Sequence, residues 1–139
     1  MRDRTPVQSL AALVGVTFLV VGILGFVPGI TTHYGDLSFA GHGSGAKLIG
    51  LFQTSILHNL VHIAFGVGIL MAKTAEGART YLIGGGVVYL IVWLVGLIGG
   101  LEWLPVNTAD NWLHFVLGLG MVGLGFVTGR SMARETAPA

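Results

Sequence analysis

The way the apolar residues are grouped constrains this chain more than anything else. They fall into four windows at about 7–29, 48–72, 80–101 and 109–129, each nearly free of charge. A helix rising about 1.5 Å per residue needs roughly 20 such residues to cross the hydrocarbon layer of a bilayer. Four crossings within 139 residues leave short connections and one longer loop, 30–47, so the expected fold is a single all-α membrane domain over 1–139, a four-transmembrane-helix bundle. Composition agrees. Charged residues make up 9% of the chain, against about 25% in soluble domains, too few for the water-facing shell of an ordinary soluble enzyme. A net charge of +1 with no basic block offers nucleic acid no footprint. The absence of cysteine excludes disulfides, cysteine-ligated zinc or iron–sulfur centres, and thiol catalysis.

The window edges carry local signals. Thr5 and Pro6 read as an N-cap followed by proline at the first helical position, where its missing N–H does no harm, and Pro28-Gly29 reads as the stop of helix 1. With no small-residue cleavage site after the first window and three further windows to come, that window reads as a retained helix. Arg2, Arg4, Lys73, Arg79, Arg130 and Arg134 fall on the side holding both termini, and Lys47 alone falls opposite. Both termini are therefore expected in the cytoplasm, with the 30–47 and 102–108 loops outside. Trp103 and Trp112 suit the outer interfacial belt and Tyr81 the inner one.

The second and fourth windows share a pattern. His58-Asn59-Leu60-Val61-His62 precedes Gly66 and Gly68, as Asp110-Asn111-Trp112-Leu113-His114 precedes Gly118 and Gly120. Helices 1 and 3 align more weakly, Gly15-Val16 and Phe18 through Gly25 against Gly86-Val87 and Tyr89 through Gly96. Two tandem helical hairpins related by a pseudo-twofold axis along the membrane normal follow from the alignment. Hydropathy disagrees in one respect, since it places His62 near the midplane and His114 about six residues, or roughly 9 Å, nearer the outside.

Polar groups within a span are costly, so each is a candidate for function. His58 and His62 stand four residues apart, as do Asp110 and His114, and each pair projects from one helical face. If helices 2 and 4 face one another, the four side chains converge into a ligand set suited to zinc, copper or iron. Asn59 and Asn111 would then be outer partners that fix the imidazole tautomers. A non-covalent b-type haem on His62 and His114, with Gly66 and Gly118 making room for the ring, is a second reading, and a quinone protein or small transporter a third. The plain alternative is structural. His and Asn side chains also join membrane helices by hydrogen bonds, Asn107 with Asp110 also reads as an N-cap with an acidic first turn, and glycines also let backbones approach.

In the outer loop, Thr31-Thr32-His33-Tyr34-Gly35-Asp36 and Phe39-Ala40-Gly41-His42 group several polar and aromatic residues, and His42 is a candidate further ligand over the bundle mouth. Gly84-Gly85-Gly86 lies inside an apolar window and lacks the lysine of a phosphate loop. No base and acid accompany Ser55 or Thr54 in any nucleophile motif, so no catalytic residue is assigned.

On these two loop segments, on Leu57-His58-Asn59-Leu60-Val61-His62 with Phe65-Gly66, and on Pro105-Val106-Asn107-Thr108-Ala109-Asp110 with Leu113-His114, the sequence resembles a bacterial family of small four-helix membrane proteins. That family is catalogued only as a domain of unknown function and is loosely grouped with DoxX-like proteins. The resemblance implies a multi-pass protein of the bacterial inner membrane and no activity. Two functional expectations follow: transition-metal binding through His58, His62, Asp110 and His114, or a noncatalytic accessory or assembly subunit whose polar cluster is structural. Expected partners are the lipid bilayer, with other membrane proteins or further copies of the chain.

Overall fold

The computed structural model describes residues 4–99 and 102–135. Four long helices run in chain order: α1 (Pro6–Leu24), α2 (Ile56–Val67, continued by a 3₁₀ segment Gly68–Lys73), α3 (Ala75–Leu97) and α4 (Thr108–Glu135). Spans of 18 to 23 residues in these helices are long and apolar enough to cross a membrane. Only 22–28% of each apolar window is buried. The remainder, including Leu13, Val20, Ile91, Leu94 and Val116, presents large apolar side chains outward, where a bilayer is the matching solvent. The protein is thus a multi-pass bundle.

Helix 1 starts where its capping signal lies. Thr5 is the N-cap, and its side chain with that of Gln8 forms a reciprocal capping box ahead of Pro6. Gln8 Nε2 also donates to the carbonyls of Ala72 and Lys73 at 3.0 and 2.9 Å, tying the start of α1 to the end of α2. At its other end α1 stops at Leu24, short of the expected Pro28-Gly29, and the Thr31 hydroxyl donates to the freed Leu24 carbonyl at 3.1 Å.

Helix 2 begins eight residues later than its window suggests. Residues 47–53 instead form two antiparallel strands, β2 (Lys47–Leu48) and β3 (Phe52–Gln53), and β2 also pairs with β1 (Thr31–Thr32). The turn between β2 and β3 holds Ile49 and Gly50 at positive φ, a conformation that ends any helix at that point. Hydropathy counts an apolar hairpin and the start of a helix alike. Ser55, whose side chain accepts from the His58 N–H, sets the true start, and the carbonyls of Ser38 and Phe39 accept from the N–H groups of Ile56 and Leu57. The loop therefore folds back as a lid of strands over one end of the bundle.

The later onset removes the depth mismatch. His58 and His62 are the third and seventh residues of α2, and Asp110 and His114 are the third and seventh of α4. Asn107 caps α4 as expected: its Oδ1 accepts from the Asp110 N–H and its own N–H donates to Asp110 Oδ2, both at 3.0 Å.

Packing is closest within each hairpin, α1 on α2 and α3 on α4, and glycines make it possible. A Cβ on Gly66 would collide with the backbone of Leu19, and one on Gly118 would collide with the side chain of Leu90 and the carbonyl of Gly86. Gly66 and Gly118 are therefore filled by neighbouring helices, and the room that a haem would need beside them is absent. Tyr81 differs from expectation too. It is buried in the core beside Leu82, with its hydroxyl donating to the Phe65 carbonyl at 2.8 Å, instead of facing outward. Trp103 and Trp112 are exposed, as an interfacial role requires.

Candidate metal centre

The α2 and α4 backbones stay apart, and side chains close the distance between them. The ring of His58 lies 4.6 Å from that of His62 and 6.1 Å from that of His114, centroid to centroid. One ring nitrogen from each of the three histidines can be chosen so that all lie within 4.8 Å of one another. Nitrogens bound to one tetrahedral zinc at about 2.0–2.1 Å sit roughly 3.4 Å apart, so small side-chain rotations bring these three into ligating range. His58 and His114 are buried, and the Nδ1 atom of each has no hydrogen-bond partner within the described residues. An orphaned imidazole nitrogen away from water is costly unless something binds it.

Aromatic rings surround the three histidines. Phe18 of α1 stacks on Tyr89 of α3, with centroids 5.2 Å apart and planes 10° from parallel. Phe18 also lies 5.9 Å from His62, and Tyr89 lies 5.1 Å from His114. These rings keep water from two sides of the cluster and limit how far the imidazoles can swing.

Asp110 is buried beside the cluster but outside the converging group, and its Oδ2 accepts the N–H groups of Gln53 and Asn107, both at 3.0 Å. It thereby ties β3 to the start of α4. Asn59 and Asn111 do not serve the imidazoles as expected. Asn59 fills the space beside Gly25 and accepts the Thr54 hydroxyl, while Asn111 fills the space beside Gly96. His42 is exposed and outside the cluster, its carbonyl accepting from Gln53 Nε2 at 3.2 Å.

A cavity of about 410 Å³ opens against the three histidines. Val14, Phe18 and Val21 of α1, Leu117 of α4, and Leu48 and Phe52 of the strand lid form part of its apolar wall. The short strands that close it carried no sequence signal, since runs of two residues show no period.

Neither a curated protein nor a solved structure matches this sequence. The model of a family described as a domain of unknown function (DUF4383) matches residues 8–127, which include the three histidines and most of each helix that frames them. The chain, a four-helix membrane bundle with three histidines gathered under a lid of strands, belongs to that family.

Proposed function

We propose that this protein binds one transition-metal ion, zinc, copper or iron, through His58, His62 and His114. The observation that carries the reading is the convergence of three imidazole nitrogens within 4.8 Å, two of the rings having a buried nitrogen without a partner among the described residues. Three imidazoles would leave a four-coordinate ion room for a further ligand, and the cavity adjoins the three histidines. Asp110 lines the same cavity while its Oδ2 holds β3. Metal analysis of the detergent-purified protein tests this directly. About one ion per chain is expected, falling to background in His62→Ala and His114→Ala. A metal-free wild-type preparation that stays so after incubation with zinc, copper(II) and iron(II) overturns it.

One observation favours the second reading, a noncatalytic accessory or assembly subunit. Asp110, Asn59 and Thr54 all make structural hydrogen bonds. Copurification of a metal-free chain with a larger membrane complex would decide for that role.

We infer further that the two hairpins are copies of one unit, with both termini in the cytoplasm of a bacterial inner membrane. Matched positions make matched contacts, which supports the repeat. Gly66 abuts Leu19 as Gly118 abuts Leu90, Asn59 meets Gly25 as Asn111 meets Gly96, and Phe18 meets His62 as Tyr89 meets His114. The orientation is supported by the bias of lysine and arginine towards the terminal side.

A further inference from the structure

The cavity has a direction. Its wall is apolar along α1, α4 and the strand lid, and its inner end is formed by His58, His62 and His114. Leu13, Thr17, Ile49 and Leu113 line it and are also exposed, so they form the rim of a side opening between α1 and α4. These two helices touch one another much less than either touches its hairpin partner. The opening lies among exposed apolar side chains on the flank of the bundle, the side that a bilayer would cover.

The geometry points to a site for a lipid-soluble amphiphile, a molecule with a long apolar chain and an uncharged oxygen head, hydroxyl or carbonyl, which enters sideways between α1 and α4 and sets its head on the histidines. About 410 Å³ is within the usual range of small-molecule sites. The mostly apolar wall suits the chain and gives a polar molecule few partners. Its inner end supplies the polar side chains, His58, His62 and His114. Among the described residues no lysine or arginine lines the cavity, so an anionic head such as a phosphodiester would be desolvated there without a counter-charge. That selects a neutral head and excludes bilayer phospholipid. The inference goes beyond the metal site, because helices and strands form the cavity with or without an ion.

Photolabelling of the full chain in phosphatidylcholine vesicles tests it. The probe is a long-chain primary alcohol bearing a mid-chain diazirine, compared with an alkane of the same length and diazirine position. Alcohol adducts should concentrate on α1 and α4 residues of the cavity at least tenfold over the outward-facing Ile91 and Leu94 of α3, and the alkane should show no such preference. Leu117→Trp, which fills the cavity, should lower the cavity adducts at least tenfold. Thr17→Trp, at the exposed rim, should do the same if the first variant fails to fold. Adducts spread evenly over α1, α3 and α4, adducts insensitive to both tryptophans, or equal labelling by alkane and alcohol would each overturn the proposal. Repeating the experiment before and after chelation separates it from the metal reading. Cavity labelling that persists in a chain unable to hold an ion supports the amphiphile site alone, and a metal-loaded chain without cavity labelling overturns it alone.

Discussion

A carboxylate beside three histidines invites a ligand's role, yet Asp110 already uses one oxygen on two backbone N–H groups. Asp110→Ala would strip both bonds and leave the Gln53 and Asn107 donors unpaired, at a cost of about 3 kcal/mol. A thermal unfolding series in detergent should show that loss, with Asp110→Asn recovering part of it because its amide oxygen still accepts. The asparagine variant should keep its metal, and a folded Asp110→Asn protein without an ion would place the carboxylate among the ligands. Ile49 presents a different residue-scale tension. A β-branched side chain at φ 48 is strained by about 1–2 kcal/mol, at a turn on the rim of the cavity. Ile49→Asn, which tolerates that conformation, should raise the unfolding midpoint, and a lowered midpoint would show that the isoleucine side chain contributes more by packing than its backbone costs.

Within the helices, glycine has two uses that the sequence does not distinguish. Gly66 and Gly118 mark crossings where another helix fills the space of a side chain, whereas Gly84, Gly120 and Gly123 face open space. Gly66→Ala and Gly118→Ala should each destabilise the bundle by about 1–3 kcal/mol through overpacking. Gly84→Ala and Gly120→Ala should be neutral or mildly stabilising, since alanine is the better helix former. Equal costs at all four positions would refute this division. The contrast also shows what was legible beforehand. The pattern of His58, His62, Asp110 and His114 could be read because helical spacing places such residues on one face. Why Asp110 parts from the histidines could not, because the residue that claims it, Gln53, sits in a two-residue strand inside what hydropathy reads as helix. Caps marked the starts of α1 and α4 at Thr5 and Asn107, while at α2 the cap, Ser55, was overshadowed by the apolar residues before it.

At the scale of the whole molecule, the strand lid fixes what the two ends of the bundle can be. The lid and the cavity lie at the end away from the termini, so the direction of insertion decides which compartment the histidines and their ligands adjoin. Lysine and arginine predict that the lid faces outward. A chain without cysteine permits a clean measurement, because any thiol introduced is the sole reporter. His42, exposed in the lid, and Lys73, exposed in the short connection between α2 and α3, sit at opposite ends. In intact cells His42→Cys should react with a membrane-impermeant maleimide, and Lys73→Cys should react only after permeabilisation. The reverse pattern would turn the lid to the cytoplasm and with it the source of any ion that the histidines take up. Labelling of both in intact cells would mean a mixed population, which the charge bias is too one-sided to produce.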